Sequence, residues 1–393
     1  MKKKLLFVMS NLHCGGAEKS LISLLHAIDY GKYEVDLFLF KHEGMFFDKL
    51  PKEVTVLHAP DDYPYFDMPI KAAALGCVKA GRIDLALSRI GAGYVFKTEK
   101  NTARREQRAW KYVARSFRPL AKTYDAAFGY LEKSPIYYIV EKVKAAVKIG
   151  FIHNDYDKLG MDPRIDYDYF DKLDKIVTVS EECVTILKER FPLFGHKVEL
   201  MHNIVSPATI VDMASANTNI ARSGVTVASV GRLNYQKGFP LAIEACERLV
   251  KDGYEVRWYI VGDGEEKDRL ARLIAEKGLQ HSVILTGLQE NPYPYIKHCD
   301  IYVQTSMFEG RCLTITEAKI LNKPIVSTNF KVIYDQLVHE QNGLIVEQDA
   351  LAVYAGIKRL LEDERLRSRF VDNLKKESLG TEQEIDKLYR WIS

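Results

Sequence analysis

Arg232 and Lys237 stand five residues apart in a glycine-bearing segment, Gly231-Arg232-Leu233 to Lys237-Gly238, that follows a short apolar run. An arginine fork and a lysine point charge beside such a turn can neutralise a diphosphate. The plainer reading of the same residues is two solvated surface cations. Further along, Glu309-Gly310-Arg311-Cys312-Leu313 leads into a helical stretch that carries Glu317. Backbone N–H groups of Gly310, Arg311, Cys312 and Leu313 at that helix start would suit a phosphate, and Glu309 and Glu317 could accept hydrogen bonds from sugar hydroxyls. Alternatively, Glu317 is a helix-surface residue and Glu309 a charge that complements the helix dipole.

Two more glycine segments follow apolar runs. Gly15-Gly16-Ala17-Glu18 opens an amphipathic helix with Leu21, Leu24, Leu25 and Ile28 on one side, and adjacent glycines let backbone approach a ligand closely. Gly262-Asp263-Gly264 has Lys267 where a dinucleotide fingerprint has its third glycine, so a nicotinamide cofactor is not expected. A tight strand-to-helix turn accounts for either segment equally well. Asp155-Tyr156-Asp157 and Asp166-Tyr167-Asp168 have the D-x-D form of some metal sites; an acidic loop is the preferred reading, and no metal is expected.

These residues need a scaffold that brings strand ends together. Short apolar runs alternate with helical periods through nearly all 393 residues, the pattern of parallel sheets crossed by helices, so the fold class is α/β. Strands are expected at 4–9, 34–40, 54–57, 125–130, 147–153, 175–180 and 197–202, then at 225–230, 256–261, 283–285, 301–304, 325–327 and 344–346. A helical insertion spans about 69–123. The Ser-, Thr- and Asn-rich stretch 205–223 reads as a linker and natural hinge. The expected domains are therefore 1–205 and 206–377, with 378–393 a terminal helix returning to the first.

A net charge of +3 gives no reason to expect a nucleic-acid partner. No apolar run approaches the length of a membrane span, and the first run is too short for a secretory leader, so a cytoplasmic protein, at most peripheral on the inner face of the membrane, is expected. Six scattered cysteines suit reduced thiols rather than zinc.

The order and spacing of Gly15-Gly16-Ala17-Glu18, His153, Gly231-Arg232 with Lys237-Gly238, Gly262-Asp263-Gly264, and Glu309-Gly310 with Glu317 resemble the retaining glycosyltransferases of family 4. The resemblance covers nearly the whole chain except the insertion. It implies a GT-B fold of two facing Rossmann-like domains, with the nucleoside diphosphate sugar held by the second. On the matching positions it implies that Arg232 and Lys237 bind the diphosphate, Glu309 the sugar hydroxyls and Glu317 the ribose. Gly15 and Gly16 would approach the donor phosphates, and His153 would lie near the reacting carbon. Uridine is the nucleoside the family favours, and retention at the anomeric carbon would need no metal or other cofactor. The chain departs from the pattern at Arg311, Cys312 and Thr314, where smaller Gly- and Pro-containing runs are usual. A sugar-nucleotide epimerase and a non-catalytic sugar-nucleotide-binding partner are the alternatives.

The insertion adds a basic stripe. Arg104, Arg108, Lys111, Arg115, Arg118 and Lys122 recur at three- and four-residue spacing beside Trp110, Val113 and Phe117, as on an amphipathic helix that lies on an anionic membrane. A helix packed on its own domain would show the same pattern. With the resemblance, the stripe implies a lipid-linked glycan acceptor, in cell-surface polysaccharide synthesis such as capsule or exopolysaccharide.

Overall fold

The computed structural model describes residues 2–13, 15–217, 220 and 224–393. They form two compact units: Met1–His13, Ala17–Asn203 and Gln383–Ser393 in the first, Cys14–Gly16 and Ile204–Glu382 in the second.

The sheet of the first unit contains β1 (Lys3–Met9), β2 (Tyr33–Leu39), β3 (Thr55–Val56), β4 (Thr123–Gly129), β5 (Lys144–Ile152), β6 (Lys175–Thr178) and β7 (Val198–Leu200), in the order β3-β2-β1-β4-β5-β6-β7. Every pairing is parallel. Helices covering both faces require apolar side chains on both, and Leu5 to Met9 are accordingly all buried. The terminal helix Ile385–Trp391 belongs to this unit, where Tyr389 stacks on Tyr33 at 5.0 Å and the Asp29 N–H donates to the Tyr389 hydroxyl at 2.8 Å.

The sheet of the second unit contains β8 (Val225–Val230), β9 (Val256–Val261), β10 (Val283–Gly287), β11 (Ile301–Gln304), β12 (Ile325–Thr328) and β13 (Leu344–Val346), in the order β10-β9-β8-β11-β12-β13. Again all pairings are parallel. Both orders reverse direction beside their first strand, and loops at such a switch point form the ligand crevice of open α/β sheets. In the second unit the loops at that point follow β8 and β11. The Trp258 indole N–H donates to Ser229 Oγ at 3.0 Å, and Ser229 donates to the Val303 carbonyl at 2.6 Å, which ties β9, β8 and β11 together.

All thirteen expected strands are present, with β5 starting earlier, at Lys144. The stretch expected to be a linker contains the helix Pro207–Met213, because Pro207 at its first turn and buried Ile210 favour a packed helical turn. Residues 218, 219 and 221–223 of that stretch lie outside the described residues.

The insertion between β3 and β4 is three helices, Ile70–Lys79, Ile83–Thr98 and Thr102–Val113. The basic row expected along 104–122 is not one continuous helix. The third helix ends at Val113 and a 3-10 turn, Ala114–Ser116, follows, so Arg115, Arg118 and Lys122 leave its helical row. Trp110, 2% exposed, and buried Phe117 pack with Phe40 in the core of the first unit, Phe40 and Phe117 lying 4.5 Å apart. Arg104 and Arg108 converge on Glu99, at 3.6 and 2.8 Å, and Arg115 donates to Ser88 Oγ at 3.0 Å. Lys111 lies over the Tyr112 ring and Lys122 bridges Glu34 and Asp36. This apolar face is core, and the cations beside it are largely engaged within the protein.

Replacing Trp110 by alanine should therefore cost about 3–5 kcal/mol, the range for emptying a large aromatic site in a core. Chemical denaturation of the two proteins measures it, and a change below about 1 kcal/mol would return Trp110 to the surface.

Candidate functional site

The loops after β8 and β11 meet through charge. Lys237 Nζ donates to Glu309 Oε1 at 2.6 Å, with the carboxylate only 7% exposed. Burial is the largest single influence and works against the Lys237 ammonium. The Glu309 charge, Cys312 and the hydrogen bond to Glu309 together outweigh it, and the lysine pKa is raised overall; nearby Arg232 opposes that rise. Lys237 is thus cationic at neutral pH, and exposed Arg232 is near enough to act on its charge. Gly238 takes φ +60°, and a Cβ there would come within 2.2 Å of the Thr305 carbonyl, so only glycine lets the two loops approach this closely.

A chain of buried hydrogen bonds fixes Glu309. Tyr302 and Thr314 donate to Gln304 Oε1 at 2.8 and 3.0 Å, Gln304 donates to Ser306 Oγ at 2.7 Å, and Ser306 donates to Glu309 Oε1 at 2.6 Å. On the other side Gln236 Nε2 donates to Glu309 Oε2 at 3.2 Å and to the Phe308 carbonyl at 3.0 Å. Gln236, Gln304 and Ser306 carry no motif in the sequence. Their common signal is polar side chains placed next to strand ends.

Gly310, Arg311, Cys312 and Leu313 run into the helix Leu313–Ile320. The expectation that the Cys312 amide faces a phosphate is corrected: it donates to Gln336 Oε1 at 2.9 Å, and Gln336 Nε2 returns a bond to the Cys312 carbonyl at 2.8 Å. Gln336 lies 24 positions away and so was invisible to motif spacing. The Cys312 thiol is buried, and burial, with the Glu309 charge, pushes it up to about 11, so it is protonated at neutral pH. Glu317 is buried on this helix and not on its surface.

Gly262 and Gly264 serve packing. Gly262 has φ +146°, and a Cβ on it would lie 2.0 Å from the Gly231 carbonyl; one on Gly264 would lie 2.4 Å from the Leu233 carbonyl. Leu233 N–H donates to the Asp263 carbonyl at 2.9 Å, while the Asp263 side chain pairs with Lys267 at 3.0 Å. This loop holds the Arg232 loop from behind.

Gly16, grouped with the second unit, begins the helix Gly16–Ala27, and Gly15 stands just before it. The rest of that helix lies in the first unit. His153 follows β5, buried against the rings of Tyr130 and Phe151. Its backbone N–H donates to Glu132 Oε2 at 3.0 Å, and Asn154 donates to Glu132 Oε1 at 3.1 Å. Among the described residues neither ring nitrogen of His153 has a hydrogen-bond partner. Burial lowers its pKa to about 4, against the pull of Glu132, so the imidazole is neutral and one N–H is available to donate.

The D-x-D carboxylates are used locally. Asp155 caps the helix Tyr156–Leu159, and Asp157 pairs with Arg190 through two contacts at 2.9 Å. Asp166 is buried and accepts bonds from Tyr137, Tyr156 and Gln107; burial raises it to about 6.

Two parallel-sheet Rossmann-like units, with a cation–carboxylate cluster at the switch point of the second, have the GT-B fold. Residues 213–377 match the family model described as glycosyl transferases group 1. The chain is 31% identical over 208 residues to the N-acetylgalactosamine-N,N'-diacetylbacillosaminyl-diphospho-undecaprenol 4-alpha-N-acetylgalactosaminyltransferase of Campylobacter jejuni, covering 52% of this chain and 56% of that one. It spans about half the length of the curated relatives it matches. Among solved structures, a Staphylococcus aureus TarM mutant in complex with fondaparinux, alpha-GlcNAc-glycerol and UDP superposes with TM-score 0.69 at 15% identity over 100% of both chains. Anabaena HepE in complex with UDP and glucose gives 0.67 at 15% identity, over 99% of this chain and 98% of that one. At such identity these two establish the fold.

The buried neutral His153 gives a pH signature. The unfolded residue titrates near 6.5 and the folded one at about 4, so between those values only the unfolded chain takes the proton. Its contribution to stability is present above pH 6.5 and falls as pH drops toward 4, by up to about 3 kcal/mol. Asp166, raised to about 6, works in the opposite sense over an overlapping window, so the comparison must be with a His153→Phe variant. Thermal midpoints from pH 7.5 to 4.5 should fall more steeply in the wild type than in the variant. Parallel curves would contradict a buried neutral imidazole.

Proposed function

We propose that this protein transfers a sugar from a nucleoside diphosphate sugar to a hydroxyl of a glycan acceptor carried on a lipid, with retention at the anomeric carbon and without a bound metal. The observation that carries this reading is the Lys237–Glu309 pair joining the two switch-point loops, within the segment that matches the glycosyltransferase family model.

As the bond from sugar to diphosphate breaks, negative charge develops on the leaving oxygen. Lys237 and Arg232 are preorganised cations for that charge, which lowers the barrier without reorganisation at the moment of reaction. The second oxygen of Glu309, and buried Glu317 on the following helix, accept from hydroxyls of the donor sugar and ribose. In a retaining transfer the acceptor hydroxyl attacks the face the diphosphate leaves, and the leaving oxygen takes its proton, so no separate carboxylate base is assigned. The family resemblance assigns His153, neutral and with a free N–H, to the reacting sugar. Uridine as the base rests on the family resemblance, and the fold-sharing TarM and HepE structures contain UDP. The lipid-linked acceptor rests on the Campylobacter jejuni relative, whose name specifies a diphospho-undecaprenol substrate.

Arg232→Ala, Lys237→Ala and Glu309→Ala should each lower turnover by about 10²–10³-fold, the usual effect of losing one transition-state contact. Transfer assays on folded variants with radiolabelled donor measure it, and near-normal rates in all three would remove the site. Transfer should also continue in excess chelator, since cations of the chain balance the diphosphate. Loss on chelation with recovery on adding manganese or magnesium would overturn metal independence.

A further inference from the structure

The helix Ile83–Thr98 carries apolar side chains on both sides, with Ser88 and Arg89 the polar residues among its buried ones. Its inner face, with Leu85, Ala86, Ala92 and Val95, is buried against the rest of the insertion. Its outer face carries Ile83 and Leu87, each 63% exposed, Ile90 at 53% and Tyr94 at 70%. Positions 83, 87, 90 and 94 follow helical spacing, so these four side chains make one continuous row. On the neighbouring helix Ile70–Lys79, exposed Leu75 and Val78 extend the patch. Ile70 crosses between the two helices, since its Cδ1 occupies the place a Cβ on Gly93 would take. A helix apolar all round is ordinarily buried, in a protein core or a membrane, and a run of large exposed side chains of this kind marks an interaction surface.

Charge identifies the occupant. Between residues 69 and 100 the chain has six cations and two acids, and both acids are engaged: Asp84 with Arg82, and Glu99 with Arg104 and Arg108. Lys71, Lys79, Lys97 and Lys100 make no ion pair among the described residues and lie at the ends of the two helices, around the apolar row. Two copies of this face brought together would set a lysine rim against a lysine rim, which disfavours self-association. An apolar stripe with lysines at its margins and a tyrosine at one end instead matches the boundary of an anionic bilayer: side chains enter the acyl region and ammonium groups meet the lipid phosphates.

We infer that the outer face of the helix pair Ile70–Lys79 and Ile83–Thr98 lies on an anionic lipid bilayer. Among the described residues no helix is long and apolar enough to cross a membrane, so this contact is in-plane. The surface differs from the basic stripe at 104–122, whose aromatic side chains are core. It accords with a lipid-carried acceptor in the proposed function but does not require one, because it binds lipid rather than glycan.

The test is co-sedimentation of the full chain with vesicles of phosphatidylglycerol and phosphatidylcholine, free of any glycan acceptor. The wild type should bind the phosphatidylglycerol vesicles, more weakly as salt rises, and bind pure phosphatidylcholine poorly. The triple variant Leu87→Ser, Ile90→Ser, Tyr94→Ser should partition at least roughly tenfold less, given the apolar area withdrawn from lipid. Charge reversal at Lys71, Lys79, Lys97 and Lys100 should abolish the salt dependence. Because all seven positions are exposed, unchanged thermal midpoints confirm intact folds. Failure of the wild type to bind, equal binding by the variants, or a wild-type dimer that the triple variant converts to monomer would each overturn the inference. Any of these would leave the effect of Lys237→Ala on transfer unchanged, so the two readings fail separately.

Discussion

The loops after β8 and β11 are organised around one largely buried ion pair. Taking the Lys237 ammonium and the Glu309 carboxylate out of water costs several kcal/mol per ion, and their attraction at 2.6 Å offsets this only with further hydrogen bonds. Ser306 and Gln236 supply them, and Gln304, Tyr302 and Thr314 fix Ser306 in turn. Apolar residues of similar volume would stabilise the same loops as well or better. The pair is therefore poor evidence of a stability device. Its position, on the loops after β8 and β11 at the topological switch point, is where a charged ligand would share both groups. The glycines follow from the same constraint: Gly231, Gly238, Gly262 and Gly264 keep three loops close enough for the pair to form.

The scaffold was legible because its strands are buried on both faces. Runs such as Val225–Val230 and Val256–Val261 are mostly apolar segments closed by glycine, and their limits in the structure match those read from the sequence. The cation–carboxylate cluster was legible in type, since Arg232, Lys237 and Glu309 sit next to strand ends where chemistry is expected. Its supports were not. Gln336 reaches Cys312 across 24 positions, and Glu132 reaches the His153 amide across 21, contacts that only the folded sheet creates. Gly262 and Gly264 were equally ambiguous in sequence, because only the fold puts the Gly231 and Leu233 carbonyls in the space their side chains would need.

The insertion shows a different limit. Periodicity detects contrast between faces, so the cation row at 104–122 was conspicuous, while the helix Ile83–Thr98, with apolar side chains on both sides, gave little contrast to detect. Spacing also fixes only which residues share a face, not what that face meets. Trp110 and Phe117 meet Phe40 and the domain core, whereas Ile83, Leu87, Ile90 and Tyr94 meet solvent. Equal apolar character thus leads to opposite environments, decided by which helix lies nearer the sheet.

The most direct test of the central claim is calorimetric titration of a nucleoside diphosphate and of the matching diphosphate sugar into wild type, Lys237→Met and Glu309→Gln. If the pair exists for the ligand, Lys237→Met weakens both ligands at least tenfold. Glu309→Gln then leaves the nucleoside diphosphate nearly unaffected while removing the added affinity due to the sugar. If both variants bind both ligands as the wild type does and differ only in thermal midpoint, the pair is structural and the site lies elsewhere.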